Sequence, residues 1–241
     1  MEEKFKKEIE SFQNIWHGGY FGENNPKRNQ VGLEEYLINN VKDNLTILEI
    51  GCGRGRWSKF IYEKLNPKKL ECIDVLSEDH NNFWSFVGVD KKEKLKYHQV
   101  EDFSLNEIPD ESLDFVFSYD VWCHVSSSSQ ELYLESLYKK CKVGAKLLIM
   151  YSDPKKYYGS EPENLWFIKS YLPKEKVDNI NENEEIFKLA IEDSDGEIIE
   201  GRWYWIGVDK FLKNVTKYKF NVLSEDLNID KTNVITLFEK K

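Results

Sequence analysis

Apolar residues recur along this chain in two rhythms, one of helical spacing and one of short unbroken runs. Phe5, Ile9, Phe12 and Trp16 are spaced by three and four, which predicts an amphipathic helix over residues 3–16. A second helix is expected from Val31 to Asn40. Between them, "HGGYFGENNPKRN" (17–29) is rich in Gly, Asn and Pro but carries Tyr20 and Phe21, which predicts an ordered loop rather than a flexible linker. From residue 45 apolar runs and helical patterns alternate. "LTILEI" reads as a strand, "SKFIYEKL" as a helix, and "LECIDVL" and "KYHQVEDF" as strands. "LDFVFSYD" is the fourth strand, "QELYLESLYKKCK" a helix, and "AKLLIMYS" a fifth strand after the turn "KVG". Strands separated by helices pair in parallel, with both sheet faces covered.

The last third departs from that rhythm. Between Ser152 and Gly207 a long irregular stretch includes an acidic run at 182–185 and "GEIIEGRWYWIG". Insertions of that length in compact domains are lids or binding elements, which predicts a cap. "VDKFLKNVTKY" then reads as a helix, and "FNVLSEDL" and "NVITLFEKK", joined by a few polar residues, as an antiparallel hairpin. The expected fold is α/β: a doubly wound, mainly parallel sheet of about seven strands with a C-terminal antiparallel hairpin. It is expected as one domain over 1–241, with a helical lid at 1–40, a core of 41–151 and 207–241, and the cap at 152–206.

At 241 residues the chain can bury one large core without staples. The net charge of −9 excludes a broad basic face, so nucleic acid is not an expected partner. A small anionic ligand stays compatible, because a few placed cations suffice and Arg28, Arg54, Arg56 and Arg202 are available. The four cysteines form no C-x-x-C pair, so buried thiols are expected rather than zinc ligands or disulfides. The N-terminus shows neither a signal peptide nor a membrane span, and a cytoplasmic protein is expected.

The chemistry begins at "TILEIGCGRGRW", residues 46–57, where three glycines follow an apolar strand and precede a helix. Such a turn lets a ligand approach the backbone and aims N–H groups at it. The dinucleotide pattern G-x-G-x-x-G fails at its third spacing, which counts against a dehydrogenase. What stands instead is E-x-G-x-G-x-G: Glu49, Gly51, Gly53 and Gly55. About twenty residues on, Asp74 closes the second strand, where an acidic group accepts both hydroxyls of a ribose; a helix cap is the plainer use.

Over residues 45–150, and by pattern in the final hairpin, the sequence resembles the class I S-adenosylmethionine-dependent methyltransferases, whose first motif reads E-x-G-x-G-x-G. The resemblance implies a Rossmann-like core, S-adenosylmethionine as methyl donor and S-adenosylhomocysteine as product. It also implies that Asp102 accepts from the adenine amine, with Glu101 as competitor, while Phe103 offers a backbone N–H or an apolar wall. Tyr119 is placed among the cofactor's contacts. Asp120 closes the fourth strand and either positions the sulfonium end or the acceptor, or caps a helix.

Methyl transfer from a sulfonium requires alignment and desolvation, and no metal is demanded. An alcohol acceptor must also lose a proton, which a nearby base assists. His124, four residues past Asp120, is either that base or a residue that orders its loop. His17 and Tyr20 are candidates to cover the acceptor, although His17 has an equally natural structural use. In "EGRWYWIG" alternation puts Trp203 and Trp205 on one face and Arg202 and Tyr204 on the other. The two tryptophans would stack on a ring or form the cap's own core, and Arg202 would grip a phosphate or carboxylate.

"FSYDVWCHVS" with "VEDFSL" further resembles methyltransferases of bacterial glycan modification. That implies O-methylation of a small-molecule acceptor such as a sugar or a phosphorylated or phosphoramidate metabolite. N-methylation of a small amine and a catalytically silent donor-binding module are the alternatives. The oligomeric state is not legible in the sequence.

Overall fold

A computed structural model of the chain describes residues 2–15, 30–88, 90, 93–198 and 201–241. Two helices come first, α1 (Glu2–Ile15) and α2 (Gln30–Asn40). The alternating core follows as β1 (Thr46–Ile50), α3 (Arg56–Leu65), β2 (Lys69–Asp74), α4 (Phe83–Val87), β3 (Leu95–Gln99), β4 (Leu113–Ser118), α5 (Ser127–Lys140) and β5 (Cys141–Tyr151). Short helices α6 (Pro154–Ser160), α7 (Leu165–Ser170), α8 (Lys174–Val177) and α9 (Asn183–Glu192) build the cap. The chain ends with α10 (Val208–Lys217), β6 (Phe220–Ser224) and β7 (Val234–Lys240).

The seven strands form one sheet in the order β3-β2-β1-β4-β5-β7-β6. The first five pair in parallel, and β7 enters antiparallel between β5 and β6. The expected doubly wound sheet with its final hairpin is therefore the fold observed. Strand order reverses between β1 and β4, and in open sheets of this kind the crevice at that switch receives ligands. One hydrophobic cluster joins the sheet to α1, α5 and α10 through Ile9, Leu134, Leu137, Phe211 and Val215. A second joins the opposite face to α2, α3 and the cap through Leu33, Leu37, Ile61, Ile168, Ile186 and Phe187.

Local details differ from expectation at three places. The turn expected at "KVG" lies inside β5, which begins at Cys141 directly after α5; the extra residues form an irregularity opposite Leu113 and Phe115, with Gly144 at φ 79°. Helix α5 starts earlier than its apolar pattern, because Ser126 caps it by accepting from Ser129 N–H. The short helix α4 was not expected, yet its Phe83 and Val87 are fully buried against the glycine turn.

The cap enters and leaves the core at one point. The carbonyl of Ser152 accepts from Ile206 N–H at 3.2 Å and from Gly207 N–H at 3.3 Å. Asp153 next to it caps two helices at once, its Oδ1 taking Lys156 N–H of α6 and its Oδ2 taking Val208 N–H of α10. Among the described residues no helix is long and apolar enough to cross a membrane.

Candidate functional site

The glycine turn leaves β1 at the switch point. Gly51 has φ 71°, and a Cβ there would run into the Val121 side chain just past β4, so the turns leaving β1 and β4 touch. At Gly53 the case is different: with φ 49°, its missing Cβ would project into open space, with nothing within 4 Å. A side chain at that position would fill the very opening that a ligand's backbone needs.

Glu49 lies beneath this turn. It is 3% exposed, with Oε2 accepting from Ser58 Oγ of α3 and contacted by Cys72 Sγ of β2 at 3.8 Å. Burial, with help from the nearby Asp74 charge, pushes its carboxyl up to about 8 against the pull of the Ser58 bond. Its contacts are with the elements that carry the turn, so what it gives the site is the position of that turn.

Asp74 closes β2 and is tied to the turn directly. Its Oδ2 accepts Gly53 N–H at 2.8 Å and its Oδ1 accepts Leu76 N–H at 2.9 Å. Burial holds the carboxyl above its ordinary range, offset in part by those two amides. The chain leaving β3 passes alongside, since Val100 N–H donates to the Asp74 carbonyl at 2.8 Å. Two residues on, Asp102 is exposed and makes an Asx turn in which Oδ1 takes both Ser104 N–H and Ser104 Oγ. That arrangement leaves its Oδ2 for a ligand. Phe103 is buried, edge to face with Tyr133 at 4.8 Å, so its ring belongs to the core and does not form the apolar wall that was expected. Glu101 is exposed.

Asp120, at the end of β4, has φ 65°, a left-handed backbone that costs a non-glycine residue on the order of 1 kcal/mol. Ser118 Oγ just before it donates to the Ile50 carbonyl at 3.0 Å, clamping the ends of β4 and β1 together. Tyr119 is buried against Trp57, and its hydroxyl donates to Asp230 Oδ2 at 2.6 Å. Burial alone would raise the Asp230 carboxyl, but this bond and the amides of Asn233 and Thr232 outweigh it and hold the group below its usual range. Tyr119 thus fastens the loop between β6 and β7 to the site, a contact across 111 positions that no local pattern announces.

His124 ends a short turn over Trp122–His124. Gln130 of α5 holds that turn from below, donating to the carbonyls of Trp122 and Val125. The cap holds it from the side: Tyr204 N–H donates to the Cys123 carbonyl at 2.6 Å, and His124 Nδ1 meets the Arg202 carbonyl at 3.0 Å. A carbonyl only accepts, so Nδ1 carries the proton and Nε2 the lone pair in neutral His124. Trp203 and Phe12 stand edge-on to the imidazole, at 5.0 and 6.5 Å between ring centres.

In the cap, residues 202–206 belong to no helix or strand, although the Tyr204 and Ile206 amides donate to the carbonyls of Cys123 and Ser152, and the expected alternation holds. Trp203 and Trp205 pack with Tyr157 and Phe167, with Trp205 almost wholly enclosed and Trp203 beside His124. Arg202 and Tyr204 face the other way, the guanidinium 4.9 Å from the phenol ring centre. Arg202 does not reach out to an anion as expected. It is buried in an ion pair with Asp193 and donates to the carbonyls of Asp193 and Glu197, because an enclosed guanidinium needs acceptors on most of its N–H groups. Arg54 lies over the Phe86 ring, and Arg56 over Trp57 within 4.0 Å of Glu34. His17 and Tyr20 lie outside the described residues.

Tyr133 of α5 was not singled out in the sequence. Its buried phenol is raised above its ordinary range by burial first, and then by the charges of Asp74, Glu8 and Asp102. No group of three His, Cys, Asp or Glu side chains among the described residues is placed to hold a metal ion.

Comparison with known proteins bears on this geometry. A family model described as "Methyltransferase domain" matches residues 21–190. Among solved structures, a protein of Pyrococcus horikoshii has 17% identity and a TM-score of 0.59, covering 88% of this chain and 89% of its own. A SAM-dependent methyltransferase of Methanosarcina mazei has 16% identity and a TM-score of 0.55, with 84% and 95% covered. A TehB-like SAM-dependent methyltransferase of Corynebacterium glutamicum has 14% identity and a TM-score of 0.53, with 87% and 88% covered. At such identities the structural likeness is one of fold. No curated protein matches the sequence at a significant level.

Proposed function

This chain belongs to the methyltransferase domain family, and from that premise we propose that it transfers the methyl group of S-adenosylmethionine to a hydroxyl oxygen of a small, ring-bearing polar acceptor. The residues around the switch point fit the donor. The open space over Gly53 is a cradle that a Cβ would fill; Asp74 at the end of β2 accepts the Gly53 amide, and Asp102 follows on the chain that leaves β3 past Asp74. Asp74 would hold the ribose hydroxyls while staying anchored to the turn, and Asp102 would accept from the adenine amine. Bound there, the donor supplies an activated methyl carbon on a sulfonium and departs as S-adenosylhomocysteine.

The observation that carries the reading is the His124–Arg202 bond. By holding the Nδ1 proton it presents Nε2 as the basic atom at the rim of the β4 turn. His124 Nε2 would take the proton of the acceptor hydroxyl, while the bound donor would supply the methyl carbon and leave as S-adenosylhomocysteine. The His124 Nδ1–H would stay on the Arg202 carbonyl throughout. Such a base contributes about 10²–10⁴ in rate. Trp203 and Phe12 wall the imidazole, and the half-buried Tyr157 and Phe167 continue the aromatic surface, which suits the face of a sugar ring. The commitment of Arg202 to Asp193 favours a neutral sugar of the kind found in glycan precursors over a phosphorylated one.

The test is to incubate the protein with isotopically labelled S-adenosylmethionine and a panel of free sugars, sugar phosphates and amines, comparing wild type with His124→Asn. Methyl ethers formed by the wild type and lost in the variant support the reading. Methylated amines formed equally by both would replace it with N-methylation, and donor binding without any product would point to a silent module.

A further inference from the structure

The N-terminal helix meets the His124 loop through a contact that the proposed chemistry does not use. Glu8 of α1 is 1% exposed, and its Oε1 accepts Ser126 N–H at 2.6 Å. Its Oε2 accepts from Ser126 Oγ at 2.9 Å and from Ser129 Oγ at 2.6 Å. Ser126 is the N-cap of α5 and stands two residues after His124. A buried carboxylate is costly unless well bonded; three donors and the positive end of a helix meet that need. The other first-turn amides of α5 look elsewhere. Ser127 N–H donates to the Ser194 carbonyl and Ser128 N–H to Asp195 Oδ1, both from the cap. The start of α5 is thus gripped by the N-terminal helix on one side and the cap on the other. One turn beyond Glu8, Phe12 rests edge-on to the His124 ring.

We propose that Glu8 is a positioning residue that seats His124: its carboxylate locks α1 onto the start of α5, and the locked helix sets Phe12 against the imidazole. The inference rests on the reading of His124 as the site's base, but its mechanical content can be measured without turnover. Breaking the clamp frees α1 from α5, withdraws Phe12 and changes the environment of the imidazole. Glu8→Gln keeps an acceptor oxygen for Ser126 N–H, and its amide can donate to the serine hydroxyls, so it preserves the clamp.

The experiment is imidazole NMR on the full chain saturated with S-adenosylhomocysteine, with the His124 ring signals assigned by their loss in His124→Asn. Glu8→Ala is expected to move those signals in the direction and by the amount seen in Phe12→Leu, with His80 and His98 unmoved, and Glu8→Gln to restore them. Wild-type His124 signals in Glu8→Ala would overturn the proposal, as would a Glu8→Gln spectrum as displaced as that of alanine. Should Glu8→Ala fail to fold, Ser129→Ala removes one of the three donors and must move the same signals the same way; no movement overturns the proposal. Because these readouts need no acceptor, amine methylation or a missing product would defeat the proposed chemistry and leave the clamp standing. Unmoved signals in an enzyme that still methylates hydroxyls would do the reverse.

Discussion

The Nδ1 of His124 and the carbonyl of Arg202 are 3.0 Å apart, joining the loop after the fourth strand to the returning end of the cap across 78 positions. With the proton held there, replacing His124 would remove the proposed base and leave the turn around Gly53 untouched. His124→Asn is expected to lower kcat about a hundredfold. Calorimetry with S-adenosylhomocysteine should give the wild-type Kd.

On the cofactor side, the Asp74 carboxylate serves both the Gly53 amide and, in the proposed complex, the ribose. Asp74→Ala should weaken S-adenosylhomocysteine binding at least tenfold, about 1.4 kcal/mol. Titration calorimetry reads this directly, and unchanged affinity would move the donor away from the second strand.

Arg202 gives the opposite pattern. Removing one partner of a buried ion pair strands the other, so Arg202→Ala should destabilise the fold by about 3 kcal/mol. If the guanidinium gripped the acceptor instead, urea unfolding would show wild-type stability while KM for the acceptor rose.

Glu49 makes stability depend on pH. Its folded carboxyl sits near 8, well above its value in the unfolded chain, so between these two the native state binds the extra proton. The contribution is fully present below the unfolded value and is lost as pH rises through about 8. The limiting slope is roughly 1.4 kcal/mol per pH unit. Glu49→Gln keeps an acceptor for Ser58 and should flatten that decline, read as urea midpoints from pH 5 to 9 that converge at the acid end.

Asp153→Ala takes one carboxylate from two helix starts, α6 and α10. About 1 kcal/mol per cap predicts a loss of about 2 kcal/mol. Thermal unfolding measures it, and a loss confined to one helix would show as half that value.

The strand, glycine turn and helix start that the proposed donor site is built on were legible in the sequence because they are local. "TILEIGCGRG" carries its own strand, turn and helix start, and Asp74 and Asp102 stand at the ends of the next strands. The parallel strands and the final hairpin followed from apolar runs for the same reason, whereas the order of the strands in the sheet was not legible in them. The acceptor half was not legible in this way. Glu8 meets Ser126 across 118 positions, and Tyr119 meets Asp230 across 111; neither pair has a spacing rule. Arg202 was read as a ligand-gripping cation because sequence shows its charge and hides Asp193, nine positions earlier on another element. For Phe103 the sequence left a backbone N–H and an apolar wall open, and its ring packs inward onto Tyr133, a partner thirty positions on that no local pattern shows.

The junction at Ser152 separates two kinds of inheritance. One peptide oxygen brings the two ends of the insertion together, while Ile168, Ile186 and Trp205 pack its interior onto the sheet, so its contents vary only where that shared face is kept. On the proposed function, a change within the insertion would alter what is methylated and leave the methyl source alone.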